Sequence, residues 1–469
     1  MIGCTQLKMS SMKSVLAAAL VPLFITSVTA CSDHINSNTN KAQEPSMNIE
    51  STSNLLSTEA QTEQAELQAL NALAESYVKL ILDVGHHHPY YIDAYYGPKE
   101  WKEASTKKPL PALLKEVEML SQKLASIDVD EDLALRKDFL AIQLNSVGVF
   151  IRLQSGEDIK FVDESLGLYD AISPRISEQN LDLALAELDA LLPGEGDINT
   201  RLNDFKSQFV IPIDKLDTVF VAAIDEARKR TKDYINLPEN ESFTIEYVTD
   251  KVWSGYNWYQ GNNFSLIQLN TDFPIYIERA IDLASHEGYP GHHVFNSQME
   301  QHLVDKMGWI EYSIYPLYSP MSLLAEGSAN YGINVAFPVE ERLAFEKDVL
   351  FPLAGLDASQ VENYYQVEDK LSLLSYADNM VAQRYLDGEI DKDTAIALLM
   401  KYALSSKEKS TQRIGFIEAH RAYVINYNLG QDLVKKYVDR ETADGDHATR
   451  WKVFADLLAN PKTASLMAK

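Results

Sequence analysis

The sequence predicts a mainly α-helical protein, a large multi-helix fold with a small antiparallel β-sheet and a central cleft. Three observations carry this reading. Apolar residues recur at three- and four-residue steps through most of the chain, strand-like patterns are confined to residues 243–270, and the roughly 410 residues after Ala60 exceed what one hydrophobic core usually supports. A domain of that length divides naturally into two packed halves around a cleft.

The N-terminus sets the compartment. Lys8 and Lys13 precede an apolar run from Val15 to Val28 that is too short and too close to the start for a lasting membrane span. Val28-Thr29-Ala30-Cys31 closes it in the manner of a bacterial lipobox, so residues 1–30 read as a lipoprotein signal peptide and Cys31 as the lipidated first residue. An ordinary cleaved signal peptide is the alternative, and Met9 or Met12 could be the true start. Ser32 after Cys31 points towards the outer membrane, with the protein exposed to the periplasm. Residues 31–59, rich in Ser, Asn, Thr and Gln, read as the lipidated Cys and a disordered tether ahead of a helical domain over 60–469.

Composition removes several function classes. Cys4 and Cys31 are the only cysteines, so no disulfide partner, thiolate ligand or cysteine nucleophile remains in the folded domain. His and carboxylate are then the strong metal donors left. A formal net charge of −26 argues against nucleic acid or an anionic membrane face as partner, leaving the lipid on Cys31 as the membrane contact.

Helices follow in order. Residues 60–84 carry Leu67, Leu70, Leu73, Tyr77, Leu80 and Val84 at helical steps, and Gly85 stops them. The triplet His86-His87-His88 lies in the following loop, where consecutive side chains diverge; it reads as a solvated or cleft-lining cluster rather than a second metal site. Tyr90, Tyr91, Tyr95 and Tyr96 read as packing or a substrate wall. Amphipathic runs follow at 111–126, 131–154, 178–192 and 214–236, and later at 341–352, 359–386, 391–405, 410–428 and 447–459. Phe243–Val248 and Ser265–Asn270 read as two antiparallel strands, and the second as an edge strand whose Leu266, Gln268 and Asn270 would pair with an extended substrate.

The chemistry concentrates in His286-Glu287-Gly288-Tyr289-Pro290-Gly291-His292-His293. The run from Ile275 to Ala284 after Pro274 reads as a helix, which places His286 and Glu287 at its end. In the H-E-x-x-H zinc signature both ligands lie on one helical face four residues apart. Here that position is Pro290. An unbroken helix would carry His292 about 240° round from His286, and His293 about 10 Å along the axis. Pro290 and Gly291 therefore predict a kink or bulge that returns a later histidine to the metal. His292 needs fewer looped-out residues than His293, which stays the alternative. Glu287 is the catalytic base. The third ligand candidate is Glu326, on a small, apolar helix where an acid is costly unless paired or metal-bound. On the late helix, Tyr423 and Tyr427 stand one turn apart as candidate donors to an oxyanion, with Arg421 or Arg413 available for a substrate carboxylate.

These blocks carry a resemblance. His286 to His293 reproduces H-E-x-x-P-G-H-H, Asn270-Thr271 precedes it as an N-T pair, and Glu326-Gly327 with Ala329 and Tyr331 is similar to E-G-W-A-x-Y, Ser328 replacing the Trp. Together they resemble the bacterial proteins grouped as domain of unknown function 885, whose members look like zinc metallopeptidases. Arg413-Ile414-Gly415 resembles that family's late Y-K-x-G stretch, with Gln412 in place of the Tyr. The resemblance implies a mainly helical fold and peptidase-type chemistry; with one zinc ion on His286, His292 and Glu326, the leading reading is a zinc peptidase whose deep cleft admits short peptides. Other zinc hydrolysis of an amide or ester such as a cell-wall fragment, and a non-catalytic peptide- or metal-binding lipoprotein, are the competing readings.

Overall fold

A computed structural model describes residues 49–469 apart from positions 252 and 444, and only the backbone of residues 49–63. The signal peptide, Cys31 and the first part of the tether lie outside the described residues. Ser57–Lys469 forms one compact unit. Among the described residues no helix is long and apolar enough to cross a membrane.

The fold is mainly α-helical with little sheet. Helix α1 (Ile49–Gly85) begins before the expected start, so the last part of the predicted tether is helical. After strand β1 (Ile92–Tyr95) come α2 (Lys99–Ala104), α3 (Leu110–Ala125), α4 (Glu131–Gln154), α5 (Phe161–Tyr169), α6 (Glu178–Leu191), α7 (Ile198–Ser207) and α8 (Leu216–Lys232). Ser177 and Asp197 accept the backbone N–H of Asn180 and Thr200, capping α6 and α7. Helix α4 turns Leu140, Leu144, Val147 and Ile151 into the core together with Arg136. The Arg136 guanidinium is fully buried and donates at 2.6 and 2.9 Å to both Glu311 oxygens. Removing either partner would strand a buried charge, at a cost of about 3–5 kcal/mol.

The sheet departs from the predicted topology. Strands β2 (Ser242–Val248) and β4 (Phe264–Asn270) pair in parallel, and β3 (Gly255–Tyr259), hidden between Gly and Asn punctuation, pairs antiparallel with β4. The order β2-β4-β3 makes Ser265–Asn270 the central strand, not an edge. Both of its hydrogen-bonding sides are used, so Leu266, Gln268 and Asn270 cannot add a substrate strand. Gln268 instead links Trp258 to Glu246, and Asn270 donates to the carbonyls of Lys251 and Trp253.

Then come α9 (Glu278–Leu283) and α10 (His292–Met299), followed by β5 (Ile314–Pro316), which pairs antiparallel with β1. The C-terminal half contains α11 (Pro320–Ala336), α12 (Val339–Phe345), α13 (Phe351–Ala354), α14 (Val361–Ser372), α15 (Ala377–Leu386), α16 (Lys392–Tyr402), α17 (Lys407–His420), α18 (Ile425–Thr442), α19 (His447–Ala459) and α20 (Ala464–Ala468). The run read as one helix over 359–386 breaks between α14 and α15. That over 410–428 breaks at Arg421, whose φ of 51° is incompatible with a continuing helix.

Helices α11 and α18 cross with their backbones in contact. A side-chain carbon at Gly327 would fall 2.3 Å from the Gly430 carbonyl carbon, and one at Gly430 would fall 2.6 Å from the Leu323 oxygen. Only a glycine pair permits this approach. The crossing sets Glu326, next to Gly327, against the residues that lead into α18.

Candidate metal centre

The ligand-bearing turn is built by widening a helix. After α9 the chain runs through a wide turn at Ala284–Gly288, where Tyr289 N–H bonds Ala284 O at 3.0 Å, five residues back. Gly291 N–H reaches Ser285 O at 2.9 Å, six residues back, and α10 then starts at His292. The extra residues are thus absorbed in a bulge. His292 returns beside His286, with their Nε2 atoms 3.1 Å apart.

Glu326 completes the group. Its Oε2 lies 3.3 Å from His286 Nε2 and 3.7 Å from His292 Nε2. A tetrahedral zinc with bonds of about 2.0–2.2 Å needs its ligand atoms about 3.3–3.6 Å apart. The three separations, 3.1, 3.3 and 3.7 Å, lie at or close to that range. Glu326 Oε2 is also buried without a hydrogen-bond donor, the condition of a lone pair reserved for a cation. The residues present therefore can hold a metal ion, and they are the same three in the described chain whose donor atoms converge. His286 and His292 keep 14% and 13% of their side-chain surface, which leaves the centre open to solvent on one side.

Neighbouring groups orient these ligands. His286 Nδ1 lies 2.9 Å from Asn330 Oδ1, an acceptor, so Nδ1 carries the proton and Nε2 keeps its lone pair towards the centre. Asn330 is held in turn by donating to Tyr427 O at 2.9 Å. Tyr423 donates its hydroxyl to Glu326 Oε1 at 2.8 Å, fixing the carboxylate so that Oε2 faces the imidazoles. Replacing Tyr423 by Phe is expected to weaken metal affinity about tenfold without unfolding the chain, since orienting groups of this kind contribute about 10- to 100-fold. Competition with a chromogenic chelator measures this, and unchanged affinity would remove the orienting role.

His293 is not a ligand in this arrangement. It is buried, with Nδ1 2.8 Å from Ser265 Oγ and Nε2 3.2 Å from Glu241 Oε2, so both ring nitrogens serve the packing of α10 on the sheet. Glu241 also accepts from Tyr289 at 2.5 Å and from Arg228.

Glu287 is buried with its carboxylate against β3. A side-chain carbon at Gly255 would fall 2.7 Å from Glu287 Oε1, and Asn257 Nδ2 donates to the Glu287 carbonyl at 2.6 Å. Burial pushes the Glu287 carboxyl up to about 7; Glu326 and Asp93 push the same way, and His292 and Arg279 oppose them.

Asp93 is the group that sequence reasoning missed. It lies on β1, accepts a hydrogen bond from Tyr256, feels the charges of His292 and Glu326, and has its carboxyl raised by burial to about 6. Its signal was an acid within an aromatic run read as packing. The tyrosines of that run do pack: Tyr91 stacks on Phe150 at 4.1 Å, and Tyr96 donates to Tyr312 O.

The remaining candidates separate. Tyr427 lies where the charges of both Glu326 and Glu287 act on its hydroxyl, and burial raises its pKa. Arg421 is structural: its Nε donates to Glu164 Oε2 at 2.7 Å while Ala422 N–H binds Oε1 at 3.0 Å, pinning the break between α17 and α18. Its expected role with a substrate carboxylate is therefore withdrawn. Arg413 donates through Nε to Asp378 Oδ2 at 2.7 Å. In the histidine triplet, His86 and His87 meet Ser105 Oγ and Lys108 O, and His88 sits edge-on to Phe150 and Tyr318. Ser328, where the resembled family has Trp, bonds Ala325 O within α11.

No family model and no curated protein matches this chain. Solved structures do. A Colwellia psychrerythraea protein described as a lipoprotein aligns over 76% of this chain and 68% of its own, at 14% identity and a TM-score of 0.49. A Shewanella oneidensis protein described as a lipoprotein of unknown function aligns over 76% and 75%, at 12% identity and a TM-score of 0.41. Metallocarboxypeptidase 1 of Trypanosoma cruzi aligns over 87% and 91%, at 11% identity and a TM-score of 0.29.

Proposed function

We propose that this chain is a zinc-dependent peptidase acting on short peptides, tethered through a lipid on Cys31 to the periplasm-facing side of the envelope. The observation that carries the proposal is the convergence of His286, His292 and Glu326, with donor atoms 3.1 to 3.7 Å apart, next in sequence to a buried carboxylate, Glu287. That pairing also fits the resemblance to domain of unknown function 885. A zinc ion held there supplies a Lewis acid that polarises a carbonyl and lowers the pKa of water.

The protein's own groups supply the rest. Glu287, whose pKa burial sets near neutrality, accepts the proton of the attacking water and delivers it to the leaving amine. Tyr427 is the better placed of the two tyrosines to donate to the developing oxyanion, because the Tyr423 hydroxyl is engaged with Glu326. Asn330 and Tyr423 keep the ligands aimed.

Elemental analysis of the full mature chain, purified without chelator or an affinity histidine tag, is expected to give close to one zinc per chain. Glu326→Ala should abolish it. Wild-type protein without metal after zinc addition and dialysis would remove the proposal.

A further inference from the structure

Strand β3 breaks the pattern of the sheet it completes. Gly255 and Asn257 stand opposite Leu269 and Ile267 of β4, and residues directly opposite in an antiparallel pair share a face. Leu269 and Ile267 are buried in the apolar core. Their partners are a residue without a side chain and an amide, two of the types that strands use least. A glycine inside a strand often marks a place where another group must come close.

Here that group is the Glu287 carboxylate. A side-chain carbon at Gly255 would fall 2.7 Å from Glu287 Oε1 and 2.9 Å from Leu283 Cδ2, both of them ends of side chains. Two residues on, Asn257 Nδ2 donates at 2.6 Å to the Glu287 carbonyl. Asn257 is buried, and its Oδ1 has no hydrogen-bond partner among the described residues. An orphaned buried acceptor is costly, so the amide is retained at the expense of one end for the bond made by the other. Carboxylate and backbone of Glu287 therefore both bear on β3, one through a missing side chain and one through an amide.

The strand is itself held in place. It pairs with β4, and Tyr256, which lies between the two residues and points to the opposite face, donates its hydroxyl to Asp93 on β1. Strand β1 pairs with β5, which leads into α11, the helix of Glu326. The surface behind Glu287 and the helix of the third ligand thus belong to one connected framework.

Resting on the peptidase reading above, we propose that Gly255 and Asn257 are positioning residues that set where the Glu287 carboxylate stands relative to the water it deprotonates. Gly255 gives the carboxylate room to lie back on the strand, and Asn257 keeps the backbone that carries it from turning.

The test is a double-mutant cycle on peptide cleavage by the zinc-loaded full chain. Gly255→Ala is expected to lower kcat about 10- to 100-fold with KM within about twofold, since displacing a reacting group by about 1 Å can cost about 10²-fold. One zinc per chain and a Tm close to wild type should accompany the loss, because the clash is with side-chain ends rather than backbone. In a Glu287→Gln background the same substitution should change the residual rate by less than about twofold, because effects that pass through one group do not add. Asn257→Ala runs the same cycle through the other contact, so the outcome does not hang on the folding of one variant. Rates within about threefold of wild type for both variants, or losses equally large with and without the Glu287 carboxylate, would overturn the positioning role and leave the peptidase reading standing. Loss of zinc from both variants would also overturn it, making β3 a support of the ligand turn instead. A zinc-loaded wild-type chain that cleaves no peptide would remove the peptidase reading, and this role with it.

Discussion

Replacing Glu287 by Gln is expected to lower kcat/KM for peptide hydrolysis by at least about 10²-fold while leaving zinc content near one per chain. The size follows from what a positioned general base contributes, about 10²- to 10⁴-fold. Gln keeps the volume, and the backbone carbonyl still receives the Asn257 hydrogen bond, so the turn that carries His286 has no reason to move. What is lost is the acceptor of the water's proton. The zinc arm separates this from collapse of the site, because Glu287 is not among the converging donors. A rate within tenfold of wild type, with zinc retained, would assign the base to another group, and Asp93, raised to about 6 on the facing strand, would be the next to replace.

The convergence of His286, His292 and Glu326 was legible because its physics is local. A histidine and an acid at a helix end, a Pro-Gly pair that must break the helix and two further histidines leave few ways to gather a metal, and an acid on an apolar helix is costly without a partner. The choice between His292 and His293 was not local. It depends on Ser265 and Glu241, which catch both nitrogens of His293 from elements distant in sequence. The sheet shows the same limit. Phe243–Val248 and Ser265–Asn270 have patterns that suit either pairing direction, and only the intervening strand, read as a loop, makes Ser265–Asn270 central.

Arg421 and Asp93 failed for a related reason. An arginine beside two candidate tyrosines reads as part of a substrate site, and the buried Glu164 that claims it lies 257 residues away. Asp93 lies on β1, which pairs with β5 more than 200 residues later, and neither short strand carries a periodic signal. In both cases long-range pairing decided the role.

Gly291→Ala is expected to have the other large effect, loss of the metal together with a marked loss of stability, although it removes no donor atom. A side-chain carbon there would fall 1.9 Å from the His286 oxygen and 2.3 Å from the Ser285 oxygen, and both neighbours are backbone. The Gly291 N–H also bonds Ser285 O, so the bulge cannot open without losing the contact that closes it. Relief of the clash must shift His286 relative to His292, whose nitrogens stand 3.1 Å apart. Overpacking of this kind typically costs about 1–3 kcal/mol and occasionally more. Gly415→Ala provides the internal control: nothing lies within 4 Å of the added carbon on α17, and replacing a mid-helix glycine should stabilise by about 0.5–1 kcal/mol. Opposite shifts in Tm, with zinc lost only from Gly291→Ala, are the expected result. Retention of one zinc per chain and an unchanged Tm in Gly291→Ala would mean that the bulge does not set the ligand geometry, and His293 would again compete for the site.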